Sequence, residues 1–408
     1  MTTILTDMRS VEEHQRIVSD LVTARPAATV ELIAAGGRVL SEDVTAAISL
    51  PVFDNSAMDG YAVRAEDVAS AQPDQLVNLP VAEDIPAGRI DIPKLAAGTA
   101  HRIMTGAPIP DGATTIVPVE ATDGATDVVA IRIPSAEGRH IRRAGEDVAV
   151  GTAVLRAGQL VTPAVVGLAA ALGLPTLPVI PAQRVLVIST GAELVAPGKR
   201  LRPGQIYESN SAMLAAALLE TGAEVVAAVT VDDDVARFAA IIERYAASSD
   251  LIISTGGVSE GAYEVVKDAF GRSGDRGVEF TKVAIQPGMP QGAGRVANTP
   301  IVTLPGNPVS ALVCFEVFIR PALRSAMGLP DPDRPRRWAE VSETLTAPPG
   351  KRQFRRGLFN AAAGTVVSHG PPGSHHVRWL ASANCLLDIP ADVTEIPCGS
   401  QVQIWDLS

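Results

Sequence analysis

Apolar and polar positions divide the chain into segments of distinct texture. Residues Ser10–Val22 and Thr29–Leu32 read as short helices separated by Pro26. From Pro51 to about Arg143 the pattern shortens to alternating segments broken by proline and glycine. Examples are Leu76-Val77-Asn78-Leu79, Thr115-Ile116-Val117-Pro118-Val119 and Val128–Ile133, a texture that predicts a small β module. The charge-free stretch between Arg156 and Arg184 is cut by Pro163, Pro175, Pro178 and Pro181. It reads as a buried helix, Pro163–Leu172, and a linker, because a lipid-exposed helix with so many breaks would leave backbone groups unpaired.

At Arg184 the rhythm changes. Val185-Leu186-Val187-Ile188-Ser189 is a continuous apolar run, as expected of a strand buried on both faces. Strand, loop and helix then alternate: a helix from Ala212 to Leu219, a strand from Glu224 to Val231, and a helix to about Ala247. A strand Leu251–Ser254, a helix from Glu264, the run Val283-Ala284-Ile285, a strand Ile301–Leu304 and a long helix to Met327 follow. This alternation predicts a doubly wound α/β domain with a mostly parallel sheet. After the Pro/Asp-rich linker at 328–333 the texture is β again, in runs such as Cys385–Ile389 and Gln401–Trp405, suggesting a small sandwich or barrel. The expected fold class is α/β plus β. Its parts are an N-terminal helical and linker part (1–50 with 144–182), an inserted β domain (51–143), the central α/β domain (183–328) and a C-terminal β-barrel-like domain (329–408).

Length and composition agree with several domains and narrow the partners. The chain has 408 residues and 47% hydrophobic content, which excludes disorder, while only 4% aromatics imply cores of Val, Ile, Leu and Ala. A formal charge of −11 argues against a nucleic-acid polyanion but leaves room for a small anion bound through a metal ion. Cys314, Cys385 and Cys398 are widely spaced, without metal-ligand spacing, and read as reduced thiols in a cytoplasmic protein. The charged start, Met1–Arg16, lacks the apolar run of a signal peptide, and no membrane association is expected.

In open α/β sheets ligands bind beyond the carboxyl ends of the strands. Here those ends carry glycines or carboxylates. Thr255-Gly256-Gly257-Val258-Ser259 and Leu304-Pro305-Gly306-Asn307-Pro308 precede helices, whose free N–H groups and dipole attract phosphate or another oxyanion. Beside them in the chain stand Glu193, Asp232, Asp233 and Glu264, oxygen ligands suited to a hard cation such as Mg²⁺. Anion cradles and carboxylates at one sheet edge point to phosphate chemistry in which a metal neutralises developing charge. There is no Walker A loop and no Gly-x-Gly-x-x-Gly opening the domain. Simpler roles exist for individual residues. One of Asp232-Asp233-Asp234 suits a helix N-cap, Glu193 could be a first-turn helix charge, Cys314 reads as inert core, and His375-His376 lack a third zinc ligand.

The stretch Asp54-Asn55-Ser56-Ala57-Met58-Asp59-Gly60 has no helical or strand period, and by itself is a polar turn entering a strand.

Together these segments resemble the MoeA family, the molybdopterin molybdenumtransferases related to the C-terminal part of gephyrin. The resemblance rests on FDNSAMDGYAVR, RIMTGAPIPDGATTIVPVE, IRRAGEDV, STGAEL, GQIYESN, STGGVSEG, QPGMPQGAG and LPGNPVSAL, in the family's order and over nearly the whole chain. It implies a homodimer of four-part protomers with sites shared between subunits. The implied reaction is Mg²⁺-dependent insertion of molybdate into adenylylated molybdopterin, with release of AMP. It also implies a MogA-like α/β domain and a MogA-type adenylyltransferase as partner. By block matching, the acidic metal site falls on Asp59, Asp147, Glu193, Asp233 and Glu264, and Thr105 is catalytic with Asp59, Glu193, Asp233 and Glu264. The implied pterin and phosphate contacts are Gly256, Gly257 and Ser259, Pro305, Gly306, Asn307 and Pro308, Ser209 and Asn210, with Lys282 as a substitute cation.

Three departures stand out. Glu264 replaces the family's usual Asp, Gln286-Pro287-Gly288-Met289-Pro290 replaces a Lys-Pro-Gly-Lys-Pro loop, and Ala192 stands where an acid is common. The lost lysines leave two alternatives beside molybdate insertion: a divergent paralogue inserting tungstate, and a non-catalytic pterin-binding or scaffold protein.

Overall fold

Alternate residues of the first long apolar run go to opposite cores. In a computed structural model describing residues 8–257, 265–270, 277–296 and 298–408, that run lies in strand β1 (Arg184–Thr190). Val185 and Val187 of β1 join one buried cluster, and Leu186 and Ile188 join another. This is the two-faced burial that a continuous apolar strand requires. The same partition holds in β3 (Leu251–Thr255) and β6 (Thr299–Leu304). With β2 (Glu224–Val231), β4 (Val278–Lys282) and β5 (Pro290–Val296) these form one sheet in the order β2-β1-β3-β6-β5-β4. The first four strands run parallel, and β5 is antiparallel to both of its neighbours.

The sequence pattern did not reveal β4 and β5. Pro290, Gly292 and Gly294 disguise β5, and the two glycines are there for close approach. A Cβ on Gly292 would sit 2.3 Å from Oγ1 of Thr303, and one on Gly294 would sit 2.0 Å from the carbonyl of Gly277.

Helices cover the sheet. Asn210–Thr221 ends on Gly222 in the left-handed region, and Val235–Tyr245 starts on Asp234, whose carboxylate accepts from the N–H groups of Ala236 and Arg237. The long final helix is Pro308–Cys314 and Arg320–Ala326, joined by a wide turn at Phe315–Ile319. The N-terminal helix, Val11–Leu21, is capped by Ser10 and buries Val11 and Val18 in the same core as β1. The segment expected as a helix at Thr29–Leu32 is instead a strand, Ala28–Glu31, followed by one turn of helix at Leu32–Ala35. β-Branched Thr29 and Val30 favour the extended form.

The C-terminal strands close on themselves. Arg352–Asn360, Thr365–Ser368, Arg336–Val341, Gln401–Asp406 and Cys385–Ile389 form a five-membered ring, completed by pairing of the first with the last. Ile285–Gln286 adds a short parallel pairing to Arg352–Gln353.

The chain divides into two units, Met1–Thr29 with Gly37–Ser41 and Pro178–Ser408, and Val30–Gly36 with Glu42–Leu177. Within the second, Thr115–Pro118, Gly60–Val63, Ala100–Ile103, Val77–Ile85 and Val128–Ile131 form a five-stranded sheet. Tyr61 and Val63 pack on one face and Ala62 on the other. The same unit holds the helix Pro163–Ala171, capped by Thr162. Among the described residues no helix is long and apolar enough to cross a membrane.

Candidate active site

Parallel pairing brings the carboxyl ends of β2, β1, β3 and β6 to one edge. A cavity of ≈ 960 Å³ opens there, walled by the loops that follow those strands and by Pro372–His375 of the C-terminal barrel.

The floor is a hydroxyl and carboxylate network. Glu208 is buried, and its Oε1 accepts from Ser189 Oγ (2.8 Å) and from the N–H of Ser211 (2.8 Å), while Ser211 Oγ donates to Oε2. Because the Ser189 proton is committed to Glu208, Thr255 Oγ1 must donate to Ser189 Oγ, 3.1 Å away. Glu208 thus ties the end of β1 to β3 and to the N-terminus of the helix from Asn210, where a negative charge is favoured.

The glycine loops are close-packed. Gly256 has φ +87°, and a Cβ there would lie 2.5 Å from the carbonyl of Thr190. The carbonyl of Gly306 accepts from Asn210 Nδ2 at 2.7 Å, and Asn307 Nδ2 donates to Ser374 Oγ at 2.9 Å. The helix that starts at Pro308 offers fewer free donors than expected of an anion cradle. Proline has none, and the N–H of Val309 donates to the carbonyl of Ser374 at 3.1 Å.

The acidic wall sorts the three consecutive aspartates. Asp234 caps its helix, Asp232 pairs with Arg237 at 2.8 Å, and Asp233 lines the cavity with Oδ2 3.3 Å from the N–H of Ala192. Glu193 lies in a turn, not a helix, and folds back so that a Cβ on Gly191 would be 2.7 Å from its Oε2. Both carboxylates therefore flank Gly191-Ala192 and face the cavity.

Gln286, Pro287, Gly288 and Pro290 form the opposite wall. Gln291 Nε2 donates to the carbonyl of Gly288 at 2.6 Å and lies 2.8 Å from Cys314 Sγ. Burial pushes the Cys314 thiol up to about 12, so it stays protonated and inert. The loop 371–376 is held by Arg356, a buried guanidinium donating to the carbonyls of Pro371, Gly373 and His376.

In the other unit, Asp59 is bound by Thr105 through the backbone N–H (2.6 Å) and Oγ1 (2.7 Å), both to Oδ1. Those bonds, the backbone one first, hold the Asp59 carboxyl below the usual carboxylate range. Gly60 allows this turn, since a Cβ there would sit 2.0 Å from the carbonyl of Val117. Asp54 receives Arg143 Nη1 (2.6 Å) and the N–H of Ala144 (2.8 Å), fixing the turn that carries exposed Asp147.

Of the residues singled out from sequence, one cavity collects Glu193, Asp233, Ser209, Asn210, Gly256, Gly257, Pro305, Gly306, Asn307 and Pro308. Asp59 and Thr105 are joined in the other unit, which also carries Asp147. Lys282 ends β4 at the far edge of the sheet and is not among the cavity-lining residues. Ser259 and Glu264 lie outside the described residues. Glu208 and Arg356 were not anticipated. Glu208 carried a signal, an acid just before a helix start next to Ser209-Asn210, whereas nothing in Arg355-Arg356 marks which arginine is buried.

Among the described residues no three His, Cys, Asp or Glu side chains converge as a ligand set. A Mg²⁺ that keeps several waters needs only one or two carboxylates, which Glu193 and Asp233 supply.

Family models cover most of the chain: the MoeA N-terminal region (domains I and II) over residues 9–173, a "probable molybdopterin binding domain" over 186–325, and the MoeA C-terminal region (domain IV) over 339–407. The chain belongs to the MoeA family and is a transferase. It is 68% identical to molybdopterin molybdenumtransferase 2 of Mycobacterium tuberculosis, over 98% of this chain and 100% of that protein. It is 34% identical to molybdopterin molybdenumtransferase 1 of the same organism, over 97% and 98%. A crystal structure of the molybdopterin biosynthesis MoeA protein from Pyrococcus horikosii aligns with a TM-score of 0.79 at 28% identity, covering 98% and 99%.

Proposed function

We propose that this protein is a molybdopterin molybdenumtransferase that inserts molybdate into adenylylated molybdopterin and releases AMP, the last step in forming the molybdenum cofactor. The observation that carries this reading is the convergence of two glycine loops and two carboxylates, Glu193 and Asp233, on one cavity. Glycine backbone lets a phosphate approach closely, and carboxylates beside it are useful only with a cation between.

Glu193 and Asp233 would hold Mg²⁺, with Glu264, Asp59 and Asp147 as further acidic residues. Bound there, the ion would neutralise charge on the phosphoanhydride as it breaks. Gly256, Gly257, Ser259, Pro305, Gly306, Asn307 and Pro308 would seat the phosphates and pterin, with Ser209 and Asn210 on the same wall and Lys282 as a more distant cation. Water attacks the adenylyl phosphorus, the bond to the pterin's terminal phosphate breaks, and AMP leaves carrying the water oxygen; the two dithiolene sulfurs then bind molybdenum as one molybdate oxygen departs as water with the two thiol protons.

The protein acts as a cytoplasmic homodimer in this reading. The turn at Asp59–Thr105 of one subunit completes the α/β cavity of the other, and a MogA-type adenylyltransferase supplies the pterin. Exposed Val52 and Phe53 beside that turn support a partner surface.

Incubation with adenylylated molybdopterin, molybdate and Mg²⁺ is expected to release AMP. No AMP with any divalent cation contradicts an enzymatic role and favours a binding or scaffold protein. Gln286 in the cavity wall, where the family usually carries a lysine, makes tungstate the informative second oxyanion.

A further inference from the structure

A buried ion pair holds the linker that leads into the C-terminal barrel. Glu316, 3% exposed on the wide turn of the final helix, receives a two-pronged grip from Arg334 of the linker, Nε to Oε2 at 2.8 Å and Nη2 to Oε1 at 2.9 Å. Arg334 is itself 9% exposed and also pairs, at 2.7 Å, with Glu220 near the end of the helix from Asn210. Arg320 lies 3.7 Å from the Glu316 carboxylate and donates to the carbonyl of Pro332 at 2.8 Å. Arg324 donates to the carbonyls of Asp331 and Pro330. Positions 316, 320 and 324, spaced by four along the helix, thus grip residues 330–334 along their length.

Stability is a poor reason for this cluster. Burying charge is costly, and apolar side chains of similar volume in place of a buried ion pair are often neutral or stabilising. Apolar contact already joins the two domains, since Phe354, Leu380, Leu386 and Trp405 of the C-terminal part share one buried cluster with Val313 and Phe318 of the helix. Such contact is non-directional, whereas a guanidinium fork on a carboxylate fixes orientation. Orientation matters at the cavity, because Ser374 on the rim of the barrel accepts from Asn307 Nδ2 (2.9 Å) and from the N–H of Val309 (3.1 Å). We infer that Arg334 and Glu316 are positioning residues for the reaction. They set the register of the barrel on the α/β domain, so that Pro372–Ser374 walls the cavity. The inference rests on the reading of that cavity as the reaction site.

The test compares full-length wild type with Glu316→Leu/Arg334→Met, which fills the same space without charge. Glu316→Gln, which keeps the shape and loses the charge, guards against misfolding of the double variant. Hydrogen exchange is read by mass spectrometry on segment 306–312, whose Val309 amide reports the contact with Ser374. The double variant should keep or raise the wild-type Tm. Exchange at Val309 should nevertheless be faster by about tenfold or more. Its KM for adenylylated molybdopterin should rise about tenfold with kcat within about threefold, the mark of lost binding rather than lost chemistry. Glu316→Gln should move both readouts in the same direction by a smaller factor. Unchanged exchange and KM in a folded variant overturn the inference, as does an activity loss that follows Tm while Val309 stays protected. Exchange is read without substrate, which separates the two levels. Faster exchange in the variants beside a wild type that releases no AMP removes the reaction reading and leaves the register, whereas AMP release with unchanged exchange removes only the role of the ion pair.

Discussion

Thr105 donates both its backbone N–H and its hydroxyl to the same carboxylate oxygen of Asp59, at 2.6 and 2.7 Å. Two residues singled out separately from sequence are thus one unit, and the second carboxylate oxygen is left for whatever Asp59 addresses. The bonds favour the charged form and lower its pKa. Thr105→Val keeps the backbone donor and loses the hydroxyl, so the Asp59 pKa should rise part of the way to its ordinary value. A carboxyl-carbon NMR titration checks this, and an unchanged pKa contradicts it. Asp59 is exposed, so the same variant should leave Tm nearly unchanged, while turnover should fall by about 10²-fold if Asp59 is catalytic.

His14 makes the fold pH-sensitive for a reason unrelated to catalysis. It is fully buried against Phe318, with ring centroids 4.8 Å apart. Burial, with Arg9 adding repulsion, lowers its pKa from 6.5 to about 3. Between those values the unfolded chain binds a proton that the folded chain refuses, so stability falls as pH drops below about 6.5. Chemical denaturation at pH 7 and pH 5 should show this loss, and His14→Phe should remove most of the difference. Identical pH dependence in wild type and variant contradicts the assignment.

The wall opposite the acids depends on a tight pair. A Cβ on Gly288, whose φ is +111°, would lie 2.2 Å from Cys314 Sγ. Gly288→Ala should therefore destabilise by about 2–4 kcal/mol, combining clash with backbone strain. Adding Cys314→Ala removes the clash but not the strain. Thermal unfolding should show partial rescue, a coupling of about 1 kcal/mol. Strict additivity of the two substitutions would contradict the contact.

The fold was legible wherever burial set the pattern. The run Val185–Ser189 announced a two-faced strand because both faces are covered. β5 escaped because Gly292 and Gly294 serve backbone packing and leave no apolar pattern to read. Which acidic residues reach the cavity was legible only in part. Three consecutive aspartates look alike in sequence, yet a helix cap takes Asp234, an arginine takes Asp232, and Asp233 alone of the three faces the cavity. Arg356 shows the opposite limit, since its importance lies in carbonyls of a loop fifteen or more residues away in the chain, which no local pattern encodes.

The most direct test of the central claim is AMP release in single turnover, with adenylylated molybdopterin, molybdate and Mg²⁺, by wild type and by Glu193→Gln/Asp233→Asn. Wild type should release AMP and leave molybdenum on the pterin in equal amounts, only when Mg²⁺ is present. The double variant, folded to the same Tm, should be slower by about 10²-fold or more. Equal rates in the two proteins, or release that ignores Mg²⁺, would contradict the assignment of this cavity as the reaction site.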